Sequence, residues 1–128
     1  RFLEKIDLQT TILHEQINSG LTIIEKFEKN AVVAFAVVLM TPDDVGGKDN
    51  GSLKPRARQN VVAELGYFIG RLGRNKVAAL VKGDVEIPSD FDGVVYTPLD
   101  DYGAWKTKLA NELEGAGLEI DFQKVAKA

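Results

Sequence analysis

Cysteine is missing from the chain altogether. That removes disulfide frameworks, zinc–thiolate sites and thiol nucleophiles together. It suits a reducing, cytoplasmic setting. Histidine occurs once, at His14, and one imidazole cannot build a metal site. No long apolar run exists either. The longest, Ala31 to Met40, is half of the roughly 20 residues a helix needs to cross a bilayer. No signal peptide is visible. The formal net charge is only -3, so the whole molecule is not an electrostatic binder of nucleic acid or of an anionic membrane. No G-x-G-x-x-G or P-loop pattern is present, which leaves a Rossmann dehydrogenase or an NTPase without support. There is no internal repeat and no low-complexity tract.

What is present describes one domain. A length of 128 residues with 45% hydrophobic and 27% charged residues supports a packed core and argues against disorder. Arg1 to Ile6 reads as the tail of an amphipathic helix, with Phe2, Leu3 and Ile6 on one side. Thr10 to Leu13 is apolar and β-branched and reads as a short strand. His14 to Gly20 is a polar loop. Thr22 to Asn30 reads as a helix in which Thr22 and Glu25 form a capping box and Ile23, Ile24 and Phe27 form the apolar face.

Ala31 to Met40 is apolar throughout and rich in valine. Strands buried on both faces look like this, and they belong to parallel sheets covered by helices. Thr41-Pro42 stops the strand. Asp43 to Leu53, with Gly46, Gly47 and Gly51, reads as a mobile loop. Arg56 to Leu72 predicts a helix whose stripe is Val61, Leu65, Phe68 and Leu72, widened by Val62 and Ile69, with Gly73 as C-cap. Lys76 to Val81 and Val94 to Leu99 predict two more strands. Asp100 or Asp101 caps a last helix with Trp105, Leu109 and Leu113 facing inward, ending near Gly115 to Gly117. Past Leu118 the pattern decides nothing. Alternation of this kind implies crossover connections and a three-layer α/β sandwich.

Ligands of open α/β sheets bind beyond the carboxyl ends of the strands. That rule selects His14 to Gly20, Thr41 to Leu53, Lys82 to Asp84 and Leu99 to Asp101. The helix start near Arg56 faces the same edge. Its free N–H groups favour an anion, and Lys54, Arg56 and Arg58 add positive charge. Those cations are either a phosphate clamp or solvated surface charge, the second being the commoner case. Asp43 and Asp44 follow a buried strand, where two carboxylates can hold Mg²⁺ or a ribose hydroxyl, or merely cap the loop. Glu64 lies roughly 95° from the centre of the helix stripe, between Asn60 at i−4 and Tyr67 at i+3. A carboxylate there either lines a cleft or is an ordinary boundary residue.

The segments Ile12 to Gln16, Thr22 to Phe27, Val37 to Asp44 and Arg56 to Phe68, continued by Ile87 to Asp90 and Pro98 to Asp101, resemble the bacterial TIR-like family of predicted nucleotide-binding proteins, whose members serve as effectors in CBASS and Pycsar antiphage systems. The resemblance implies a three-layer, flavodoxin-like TIR fold and hydrolysis of the nicotinamide–ribose bond of NAD⁺, with NAD⁺ as substrate and no cofactor. It assigns the essential glutamate to Glu64. Substrate binding is further expected of Asp43, Asp44, Arg56, Arg58, Asn60 and His14, from their positions along the carboxyl edge of the strands. The resemblance also implies self-association through the His14 to Gly20 region and a cyclic-nucleotide sensor domain outside this chain. Family members begin with a strand ahead of the helix that Arg1 to Ile6 finishes. The domain, residues 1–128, is therefore expected to be N-terminally incomplete, lacking its first strand and exposing apolar sheet edges. Two other readings stand beside the hydrolase: a non-catalytic TIR-type interaction or nucleotide-binding module, and a nucleoside deoxyribosyltransferase-like enzyme.

Overall fold

A computed structural model describes residues 2–13, 22–29, 33–42, 44–46, 54–56, 59–86 and 93–128. The chain runs α1 (Phe2–Lys5), α2 (Ile23–Lys29), β1 (Ala36–Met40), β2 (Asp44–Gly46), β3 (Lys54–Arg56), α3 (Gln59–Leu72), a 3-10 turn (Arg74–Lys76), β4 (Val77–Val81), β5 (Val95–Pro98), α4 (Ala104–Gly115) and α5 (Phe122–Lys127). β1, β4 and β5 form a parallel sheet in that order, with β4 central. The expected α/β architecture with a parallel sheet is therefore present.

The alternation of side chains along β4 builds the layers. Val77 and Ala79 point into one core with Val38 and Met40 of β1 and Leu65 and Phe68 of α3. Ala78 and Leu80 point into the other, with Ile6, Leu109, Ala110, Leu113 and Val125. A strand covered on both faces has no polar side to show, which is why Val77 to Leu80 is apolar without interruption. Leu65 and Leu109 are 0% and 1% exposed. Burial of that extent stabilises by about 2–3 kcal/mol for each side chain.

The predicted helix stripes hold. Leu65 and Phe68 are buried, and Val61, Val62, Ile69 and Leu72 pack around them. Gly73, at φ +95°, closes α3 by donating its N–H to the Ile69 carbonyl at 2.9 Å. The capping box at α2 is formed: the Thr22 N–H donates to the Glu25 carboxylate, and the Glu25 N–H to the Thr22 hydroxyl, both at 3.2 Å. Leu109 and Leu113 face inward on α4, and Trp105 meets Phe2 edge-on at 5.2 Å.

Several expectations are corrected. Thr10 to Leu13 forms no strand. A β-branched run becomes a strand only beside a partner, and no strand pairs with it among the described residues. Part of the presumed loop after β1 is ordered, because β2 pairs antiparallel with β3, Asp44 opposite Arg56. α3 consequently begins at Gln59 rather than at Arg56. The undecided tail contains α5, whose N-cap Asp121 accepts from the Gln123 and Lys124 N–H groups. The outer edge of β1 has no partner strand among the described residues, and Leu39 there is 53% exposed.

Candidate functional site

All three parallel strands end on one edge, at Met40, Val81 and Pro98. Their exits are tied together. The Lys82 N–H donates to the Met40 carbonyl at 2.9 Å, and the Leu99 N–H to the Val81 carbonyl at 2.8 Å. The ladder thus continues one step into each connection and fixes the floor of this edge. α3 connects β1 to its parallel neighbour β4 and must run back against them, so its first turns start here.

Glu64 sits in the second turn of α3 and is half-buried. The reason is α2, which lies on α3 through Phe27. That ring is 3% exposed and stands 5.5 Å from Tyr67 and 6.0 Å from Phe68, centroid to centroid. Tyr67 and Phe68 follow Glu64 by three and four residues, so the covering helix reaches over one face of the carboxylate. Burial pushes the Glu64 carboxyl above its ordinary value of 4.5, while the positive charge of Lys26 on α2 opposes the rise. Such a carboxylate can stabilise a cation that forms beside it, because partial exclusion of water strengthens the attraction.

The two acids after β5 behave differently. The carboxylate of Asp100 accepts from the Ala104 N–H and the Trp105 N–H, each at 2.9 Å, and these bonds hold it below the usual carboxylate range. Asp100 thus satisfies the first N–H groups of α4 from three residues before its N-cap position, Gly103. Asp101 is exposed. Of the other expected residues, Asp44 opens β2 and Arg56 closes β3, facing each other across two paired strands. Arg56 is therefore a strand residue and not the start of a helix. The backbone of Asn60 belongs to the first turn of α3. His14, Asp43 and Arg58 lie outside the described residues. Lys26 escaped the sequence reading, since nothing in the spacing of α2 shows which of its polar residues meets α3.

The model of the family described as "CAP12/Pycsar effector protein, TIR domain" matches residues 1–101. The chain belongs to this TIR family. The match takes in α1 to β5 and the Asp100 cap. α4 and α5 fall within a second match: the chain is 54% identical over 130 residues to the protein YuaY of Escherichia coli (strain K12), all of this chain against 44% of that protein. It is 36% identical over 108 residues to protein tirC of Dictyostelium discoideum, 75% of this chain and 54% of that protein. It is 39% identical over 67 residues to CD-NTase-associated protein 12 of Niabella drilacis, 52% of this chain and 21% of that protein. This TIR domain thus spans about half the length, or less, of the curated relatives it matches. Among its described residues no three His, Asp or Glu side chains converge as a metal site would require, and no helix is long and apolar enough to cross a membrane.

Proposed function

We propose that this TIR domain hydrolyses the nicotinamide–ribose bond of NAD⁺ as the effector part of an antiphage defence protein. The observation that carries the reading is Glu64, a half-buried carboxylate under α2 near the carboxyl edge of the sheet. When the C–N bond breaks, nicotinamide leaves with the electron pair and the ribose keeps a positive charge. Glu64 stabilises that charge in the transition state more than in the ground state, which is what raises kcat. Water then adds to the ribose carbon and loses its proton, giving ADP-ribose. The segment from Thr41 to Arg56, with Asp43, Asp44 and Arg56, holds the substrate, together with His14, Arg58 and Asn60. In the longer protein a cyclic-nucleotide sensor switches the domain on, and the His14 to Gly20 region joins copies of it.

The decisive experiment measures nicotinamide release by the longer protein that carries this domain. Glu64→Gln keeps size and hydrogen bonding but removes the charge. A loss of about 10²–10³ in kcat is expected for one electrostatic contact of this kind. Turnover near wild type would overturn the mechanism. Deoxynucleosides offered as substrates separate this chemistry from base exchange on deoxyribose.

A further inference from the structure

Among the described side chains of α2, Phe27 is the one that is fully buried. Its ring stands 5.5 Å from Tyr67 and 6.0 Å from Phe68, and those two rings meet edge-on at 5.3 Å. Phe68 belongs to the core under α3, whereas Tyr67 is half-buried. Helical side chains lean toward the N-terminus of their helix, so a residue covers the turn before its own. The turn before Tyr67 and Phe68 carries Glu64, which is their neighbour at i−3 and i−4. A cluster of three rings therefore borders Glu64, and the ring from α2 closes it. Few charges share this spot. β1 and β4, the strands packed against α3, carry no titratable side chain. On α2, Glu25 is engaged by the Thr22 N–H, Glu28 is exposed, and the charge of Lys26 opposes the effect of burial on Glu64. On α3, Tyr67 is the neighbouring titratable group, and Arg71 lies two turns further on. Arg74 and Lys76 follow the far end of the helix.

We propose that Phe27 is a positioning residue of this site: its ring, seated on Tyr67 and Phe68, holds α2 against α3 and keeps water from one side of the Glu64 carboxylate. The assignment rests on the reading of Glu64 as the carboxylate that meets the ribose cation. Attraction between a carboxylate and a cation strengthens as water is excluded around them. An apolar ring can thus set the rate of an electrostatic step without touching the substrate.

The test compares Phe27→Ala and Phe27→Leu with wild type in the longer protein. The Glu64 side-chain carboxyl is followed by carbon NMR across pH, its signal assigned by loss in Glu64→Gln. Nicotinamide release is followed over the same range. Burial raises the Glu64 carboxyl above its ordinary value, so uncovering it in Phe27→Ala should let it titrate at lower pH. The acid limb of kcat/KM should move the same way, toward acid. On the plateau kcat should fall about three- to tenfold, less than the loss of a whole electrostatic contact costs, and KM should change less than kcat. Phe27→Leu keeps apolar volume without the flat ring and should show both changes in smaller measure. It carries the test if Phe27→Ala does not fold. A variant that merely loses folded protein lowers the rate by one factor at every pH and leaves the titration where it was. That outcome overturns the role of Phe27, and so does an unshifted titration with an unchanged rate. An active Glu64→Gln overturns the hydrolase reading, while the NMR titration still judges the exclusion of water by Phe27.

Discussion

The two faces of the central sheet are built from the same strands and differ in what they admit. On the face covered by α1, α4 and α5, the buried cluster Ile6, Ala78, Leu80, Leu109, Ala110, Leu113 and Val125 is apolar, and Thr97, opposite Leu80 in the register, is buried but uncharged. Charge on this side stays at the rim, where Lys124 pairs with Asp7 and the Lys106 ammonium donates to the Ala128 carbonyl at 2.7 Å. On the face covered by α3, a carboxylate sits part-way into the packing, under a second helix carrying a lysine. A buried charge is costly unless it is paired and hydrogen-bonded. The first face is a support, and the second tolerates a local penalty where chemistry is expected.

The contrast can be broken by mutation. The largest effect on stability should come from the supporting face. Leu109→Ala empties a fully buried position and should cost about 2–5 kcal/mol in denaturant unfolding. A cost under 1 kcal/mol would mean that α4 is loosely attached. Asp100→Ala removes the acceptor of two backbone N–H groups and should lower Tm at neutral pH. Its carboxyl is held below the ordinary value of 3.8, so the charge contributes stability above that pH. The contribution is lost as pH falls through the depressed value. The gap between wild type and variant should therefore narrow in strong acid.

Glu64→Gln should act in the opposite direction. The Glu64 carboxyl is raised by burial, so its ionised form opposes folding above the ordinary value of 4.5 and the opposition vanishes below it. The variant should be slightly more stable than wild type near pH 7, with the difference closing as pH drops below about 4.5. Thermal melts at both pH values check this. A destabilised Glu64→Gln would make Glu64 a structural residue of the α2–α3 contact. The smallest effect belongs to Lys124→Ala, since its pair with Asp7 is solvent-exposed. A change in Tm that disappears in high salt is expected.

The strands and helices that hold these faces were legible where periodicity is long. The stripe Val61, Leu65, Phe68 and Leu72 has a single reading, and the all-apolar β4 follows from being covered twice. Short elements were not. β2 and β3 have three residues each, too few to show a period, and the glycines around them suggest a loop. Their antiparallel register, Asp44 opposite Arg56, is a pairing at a distance that spacing cannot express. Thr10 to Leu13 fails in the reverse sense, since its β-propensity is real but it has no partner strand among the described residues. α5 has its signal in the sequence, Asp121 as cap with Phe122 and Val125 three apart, but six residues are too few to set it apart from a loop. At the site, the position of Glu64 on the flank of its helix was readable from the wheel. Its burial was not, because that depends on where α2 lands, and Phe27 determines this from a distance in sequence.

The parallel register also says something about the order in which the sheet forms. Ala78 pairs with Val95, 17 residues away, whereas Ala36 pairs with Val77, 41 residues away. Closing the longer loop costs about 0.8 kcal/mol more in chain entropy, and α3 must already be in place between the two strands. β4 and β5 should therefore meet early and β1 dock late. In folding kinetics, Leu80→Ala, which lies in the β4–β5 register opposite Thr97, should slow refolding, while Val38→Ala should chiefly speed unfolding.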